Sequence, residues 1–259
     1  MSFLKVQDIH HTYFTKDTAT TALSDISLTV EEGEFVSFLG PSGCGKTTLL
    51  SIIAGLIKPT EGTVLLKNKP VSTSKNDIGY MLQQDYLFPW KTIEENILLG
   101  LKLSKQLNDK KKTDALNLLK QMGLNDNVEK QLPKQLSGGM RQRVALVRTL
   151  ATEPKLLMLD EPFSALDYQT KLKLEDLVSS TLKEFGKTAI LVTHDIGEAI
   201  AMSDRVFLLS PRPGRIHRTF EMPKELKSLS PFNARSHSAY SDIFQTIWKE
   251  LESLEQPTQ

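Results

Sequence analysis

The chain has 259 residues, enough to bury a sizeable core in one large α/β domain or two smaller ones. Its 32 Lys and Arg balance 31 Asp and Glu, so no charge surplus points to a nucleic-acid partner. The single cysteine rules out an intrachain disulfide and any multi-cysteine metal site.

No apolar run approaches the ~20 residues that span a bilayer. The first residues lack the basic-then-apolar layout of a secretory leader. A cytosolic protein is therefore expected, free or seated on a membrane partner.

Leu4–Ile9 and Ser27–Val30 alternate apolar and polar residues, as half-buried antiparallel strands do. Tyr13, in this N-terminal segment, offers either a ring for a base to stack on or a core contact. Phe35–Leu39 is an apolar run interrupted only by Ser37. It leads into Gly40, Pro41, Ser42, Gly43, Cys44, Gly45, Lys46 and Thr47, and an apolar helix-like stretch follows Thr48. Strand, glycine loop and helix with the spacing G-x-x-x-x-G-K-[ST] make a phosphate-binding loop. Its backbone N–H groups and the positive end of the following helix suit a triphosphate. Lys46 adds a point charge for the β- and γ-phosphates, and the Thr47 hydroxyl is placed to ligate Mg²⁺. Cys44, beside that helix end, is expected to be a reactive thiol of lowered pKa that Mg-ATP protects.

Thr63–Leu66 and Asp77–Leu82 read as further strands, the second closed by Gln83. Phe88-Pro89-Trp90 breaks regular structure. The stretch from Gln83 to about Ile97, with Tyr86, Leu87, Phe88 and Trp90 expected at the surface, is a candidate docking segment. Ala115, Leu118, Leu119 and Met122 form a helical stripe closed by Gly123, within a helical insertion expected over 92–135. Leu136-Ser137-Gly138-Gly139 opens another helix, with Met140, Val144, Val147 and Ala151 on one face and Arg141, Arg143 and Arg148 largely off it.

Leu156–Leu159 is a short apolar run, as in a strand covered on both faces, and delivers Asp160 and Glu161. A long helical stripe from Leu174 to Phe185 comes next. Thr188–Thr193 is another buried strand, ending at His194, and Arg205–Leu209 is one more. The tail carries an amphipathic helix on Ile243, Ile247 and Leu251.

Three apolar strands thus end at the glycine loop, at Asp160-Glu161 and at His194. If they are neighbours in a parallel sheet, their ends share one ligand-binding rim. Asp160 then suits Mg²⁺, Glu161 suits deprotonation of the attacking water, His194 suits the γ-phosphate, and Gln83 suits the metal or the water. Ser137, Gly138 and Gly139 make a second anion site without a lysine. That is either half of a site completed by another copy of the chain, or a plain helix N-cap.

The chain resembles the ATP-binding subunit of an ABC transporter, over nearly its whole length to about Arg215. Leu136–Arg143 matches that family's signature motif, and Leu156–Glu161 its Walker B strand with the catalytic glutamate. Ser164–Asp167 matches the D-loop, His194 the switch histidine, Gln83 the Q-loop glutamine and Tyr13 the adenine-stacking aromatic. The resemblance implies an α/β P-loop NTPase (RecA-like) core with an antiparallel β subdomain and an inserted α-helical subdomain. The expected division of a single 1–259 domain is 1–91 and 156–220 as core, 92–155 as helical subdomain and 221–259 as helical tail.

The resemblance also implies ATP and Mg²⁺ as ligands and a homodimer that sandwiches ATP between one glycine loop and the other chain's Ser137–Gly139. Two transmembrane permease subunits, an extracytoplasmic solute-binding protein and a place on the cytoplasmic face of the membrane follow in the same way. The glycine loop, Leu87–Trp90 and Leu209–Ile216 are similar to importers for nitrate, alkanesulfonates and taurine, whose relatives carry thiamine-precursor pyrimidines. Leu82, Val147 and Thr149 depart from the usual residues at positions expected to be packing positions. A soluble ABC ATPase acting on DNA or ribosomes is the alternative, but such proteins usually carry a coiled coil or tandem cassettes. A metabolic P-loop kinase would have no use for Leu136–Gly139.

Overall fold

Strands β3 (Phe35–Leu39), β7 (Leu156–Asp160) and β8 (Thr188–Thr193) are buried at every residue, so both of their faces must be covered. In the computed structural model, which describes residues 2–124, 127–164 and 166–255, they are adjacent and parallel. With β6 (Ile78–Met81), β9 (Arg205–Leu209) and β10 (Ile216–Glu221) they form a sheet of order β10-β9-β3-β8-β7-β6. Only the edge strand β10 runs antiparallel in it.

A second, antiparallel sheet has the order β2-β1-β4-β5, from β1 (Leu4–Phe14), β2 (Ala19–Val30), β4 (Glu61–Leu66) and β5 (Lys69–Pro70). The central helix α1 (Lys46–Ile53) lies between the two sheets, with Leu49, Leu50, Ile52 and Ile53 fully buried. Period two divides the contacts of β7. Leu156 and Met158 join the α1 side, while Leu157 and Leu159 join the opposite side.

That opposite side is helical. It comprises α2 (Ile93–Ile97), α3 (Leu99–Leu103), α4 (Asp109–Gln121), α5 (Gly138–Leu150) and α6 (Tyr168–Glu184). The three long helices on this side start where the sequence supplies a cap: Asn108, Ser137 and Asp167 each accept a backbone N–H from the first turn. Beyond β8 come α7 (Ile196–Met202), α8 (Lys224–Lys227), α9 (Pro231–Ala234) and α10 (Ser238–Glu255). Ile247 of α10 is fully buried, with Ile243 and Leu251 beside it, against α7 and β9. Among the described residues no helix is long and apolar enough to cross a membrane.

Two elements exceed what the pattern predicts. β1 and β2 run well past Ile9 and start well before Ser27, because register shifts between Val6 and Thr12 let pairing continue where alternation breaks. α7 is buried at every residue, so it shows no amphipathic stripe to read. Leu82 is 44% exposed, which corrects its expected packing role, whereas Val147 and Thr149 are buried.

Candidate functional site

The glycine loop connects β3 to α1. Gly43 and Gly45 take φ of 77° and 101°, where side chains are rarely found. A Cβ on Gly45 would also lie 2.7 Å from Leu23 Cδ2. Lys46 is the first residue of α1, and its buried Nζ donates to the carbonyls of Gly40 at 2.7 Å and Pro41 at 3.0 Å. Ser42 and Gly43 are exposed at the loop tip, and Thr47 is exposed beside them.

Thr48 exchanges a hydrogen bond with the Tyr13 hydroxyl at 3.2 Å. Tyr13 is 42% exposed and makes an edge contact with His11, so its ring is placed beside the loop rather than in the core. Cys44 is a correction. Its thiol is 1% exposed, and burial pushes its pKa up, outweighing the nearby Lys46 charge. It is a packing residue, not an accessible nucleophile.

Because β8 lies between β3 and β7, the three expected strand ends do share one rim. Asp160 is buried there. Its Oδ1 accepts from the Thr47 hydroxyl at 3.3 Å and its Oδ2 from the Tyr80 hydroxyl at 3.3 Å. Burial raises the Asp160 pKa against the pull of those two hydroxyls. The same burial, with the Asp160 charge second, pushes Tyr80 to about 12. Tyr80 was not foreseen at the site; its one signal is a polar tip on a strand ending near Gln83.

Glu161 follows Asp160 with φ of 46°, unusual for a side chain of its kind. Its Oε2 accepts from Gln83 Nε2 at 3.1 Å, and its Oε1 lies 3.4 Å from His194 Nδ1. Ser164 completes the group by donating to the Glu161 carbonyl at 3.0 Å. Gln83 thus reaches the rim through its amide nitrogen and meets a carboxylate. Ala165, within the expected D-loop, lies outside the described residues.

The Thr47 hydroxyl and Asp160 carboxylate put two hard oxygen donors side by side, the ligand type that Mg²⁺ takes. These residues fit that ion, with the remaining positions left to phosphate and water.

Ser137, Gly138 and Gly139 open α5. Ser137 caps α5 by accepting Met140 N–H at 3.3 Å, and Gly139 packs so closely on Thr170 of α6 that a Cβ there would come within 2.8 Å. Among the described residues no hydrogen bond ties these three to the glycine loop.

The segment after Gln83 is fastened to α5 by side chains the periodicity placed off its apolar stripe. Arg141 Nε donates to Asp85 Oδ2 at 2.9 Å. Arg148 donates to the carbonyls of Tyr86 at 2.8 Å and Asp85 at 2.7 Å. Tyr86 and Trp90 are 57% and 72% exposed, but Leu87 is buried, which corrects its expected exposure. It packs with the helical core instead.

A glycine loop on α1 and a carboxylate pair on the neighbouring rim define a P-loop nucleoside-triphosphate hydrolase. The family profile described as ABC transporter matches residues 23–164. The chain belongs to the ABC transporter family and is one of its ATPase cassettes.

It is 64% identical over 255 residues to the uncharacterized ABC transporter ATP-binding protein YtlC of Bacillus subtilis, covering 98% of each chain. It is 41% identical over 237 residues to the aliphatic sulfonates import ATP-binding protein SsuB of Bacillus licheniformis, covering 91% of this chain and 89% of that one. Among solved structures it resembles the ATP-binding cassette MJ0796, described as a dimeric post-hydrolysis state bound to ADP and Pi. The TM-score is 0.76 at 35% identity, over 85% of this chain and 99% of that one.

Proposed function

We propose that the chain is the motor subunit of an importer for small solutes of the nitrate, alkanesulfonate, taurine or thiamine-precursor kind. The observation that carries its chemistry is Glu161, held between Gln83 and His194 one residue beyond the buried Asp160. In this reading the loop from Gly40 to Thr48 cradles the phosphates and Tyr13 stacks on adenine. Thr47 and Asp160 would hold Mg²⁺, with Gln83 joining them through its amide oxygen, and the ion when bound would offset the phosphate charge. Glu161 takes a proton from the attacking water, and His194 hydrogen-bonds the γ-phosphate, giving ADP and phosphate.

A second copy arranged head to tail supplies Ser137, Gly138 and Gly139 to the same nucleotide. The dimeric state named for the similar cassette supports this, and no hydrogen bond among the described residues ties those three to the glycine loop of their own chain. Residues 92–155 form the helical subdomain in this division, 1–91 and 156–220 the core, and 221–259 the tail. Two permease subunits dock on the exposed Tyr86 and Trp90 region, which places the chain at the cytoplasmic membrane face, fed by an extracytoplasmic solute-binding protein. The import names of relatives at 41% identity support the direction and the solute class.

Uptake of labelled taurine, an alkanesulfonate, nitrate and a thiamine-precursor pyrimidine tests this in cells whose gene is replaced by Lys46→Ala. Loss of uptake of one of the four is expected. Unchanged uptake of all four removes the solute class, and increased retention of one reverses the direction.

A further inference from the structure

The turn that carries His194 is held by a lysine from another element. Lys171, in the first turn of α6, has a side chain only 15% exposed. Its Nζ lies 2.6 Å from Asp195 Oδ2 and 2.6 Å from Glu198 Oε1. Glu198 is buried, and its other oxygen accepts the Thr193 hydroxyl at 2.5 Å. The Thr193 Oγ1 in turn accepts Asp195 N–H at 3.0 Å, and Asp195 Oδ1 accepts Glu198 N–H at 3.1 Å. Thr193, Asp195 and Glu198 thus close a ring of hydrogen bonds around the backbone on both sides of His194, with Lys171 as its countercharge.

His194 takes no part in that ring. Its side chain is 59% exposed and turns Nδ1 toward Glu161. The ring fixes the histidine's backbone and leaves its imidazole available. A cavity of about 100 Å³ is bounded by Glu161, Ser164, Lys171, His194 and Glu198, so the lysine and the carboxylate share one space.

One turn along α6, the fully buried Glu175 is met by Arg235 at 2.6 Å. Arg235 follows α9, in the tail. Its charge acts on Glu175 more strongly than that of Lys171, which reaches the same carboxylate.

Two carboxylates drawn onto one buried ammonium are costly to leave without it. Without the lysine, Asp195 and Glu198 would repel across a single turn, and the turn that carries His194 would shift. Misplacement of a reacting group by about 1 Å can cost on the order of 10²-fold in rate.

We propose that Lys171 is a positioning residue for hydrolysis: it holds the 193–198 turn so that His194 meets Glu161, and it ties that turn to the start of α6. The inference rests on the reading of His194 given above.

The test is steady-state ATP hydrolysis by the whole chain as wild type, Lys171→Met, Lys171→Arg, His194→Ala and the Lys171→Met/His194→Ala double variant. Lys171→Met should lower kcat about tenfold or more while KM for ATP stays within about twofold. Lys171→Arg should recover most of the loss. The double variant should be no slower than His194→Ala alone, because both changes act through one histidine.

Losses that multiply in the double variant, with His194→Ala itself slow, would overturn the inference and leave the reading of His194 standing. A His194→Ala enzyme at the wild-type rate would remove both. If Lys171→Met does not fold, Asp195→Asn carries the test, since asparagine still caps α7 but loses the charge that Lys171 meets. Its kcat should fall without adding to His194→Ala, and an unchanged kcat would count against the proposal.

Discussion

Gln142 Nε2 donates to the backbone carbonyl of Gln83 at 3.0 Å, so a side chain of α5 holds the residue whose own amide touches Glu161. Arg141 and Arg148 fasten the next residues to the same helix. A tilt of α5 therefore moves Gln83 and the exposed segment after it together. The helix that opens with Ser137 and the rim around Glu161 are mechanically joined within one chain.

Arg148→Met should release that joint. It leaves the part-buried Asp85 carbonyl and the exposed Tyr86 carbonyl without their donor, which costs about 1 kcal/mol. A denaturant melt should show this loss. Hydrogen exchange at residues 84–90 should accelerate more than exchange in β3, and uniform acceleration across the chain would argue against a local clamp.

Lys46→Ala should abolish hydrolysis and weaken nucleotide binding, because no other cation lies within the glycine loop. A fluorescent ATP analogue and a phosphate-release assay measure the two effects. Normal turnover by the purified variant would remove the nucleotide reading at its root.

Glu161→Gln should separate binding from turnover. Glutamine keeps the shape and one oxygen but cannot accept a proton, and loss of a positioned base costs ~10²–10⁴ in rate. The loop, Lys46 and Asp160 remain, so ATP should stay bound and the variant should run as a dimer on sizing chromatography in ATP. Adding Ser137→Arg should return it to a monomer that still binds ATP. A dimer that persists with Ser137→Arg would place the interface elsewhere.

Cys44 should resist alkylation. Its burial and raised pKa keep it a protonated, shielded thiol. Iodoacetamide should modify the folded chain far more slowly than the urea-unfolded one, at similar rates with and without Mg-ATP. Rapid labelling of the folded chain would show the thiol to be open to solvent.

Glu175 should leave a pH signature. Burial raises its pKa from 4.5 to about 7, with Arg235 and Lys171 opposing. Between those values the folded chain keeps a proton that the unfolded chain has released. Stability therefore falls as pH rises through that window. Melting temperatures of the wild type minus those of Glu175→Gln should decline from about pH 4.5 to about pH 7. A flat difference would mean that the carboxylate is not perturbed.

What the sequence revealed follows from where burial is complete. Phe35–Leu39, Leu156–Leu159 and Thr188–Thr193 are mostly apolar because both faces are covered, and the polar residues that follow them mark one rim once the strands are neighbours. The glycine loop and Asp160-Glu161 were legible because their chemistry requires those residue types at fixed spacing.

Other features depend on contacts between distant segments. Arg148 meets Asp85 and Tyr86 across more than sixty residues, so it reads as a surface arginine. Lys171 meets Asp195 and Glu198 from another helix. The burial of Cys44 is not legible, because the helix end nearby is visible in the sequence while the packing around the thiol is not. The full lengths of β1 and β2 are hidden because bulges break the alternation that marks a strand.

The φ of 46° at Glu161 sets two selective pressures against each other. A left-handed backbone strains most residues with a Cβ by about 1–2 kcal/mol, which glycine avoids and asparagine lessens through local hydrogen bonding of its side chain. A random library challenged only by heat should therefore gather Glu161→Gly and Glu161→Asn, while a library kept alive by ATP turnover should discard both. Sequencing the two survivor pools side by side would show whether this position is held for the fold or for the reaction.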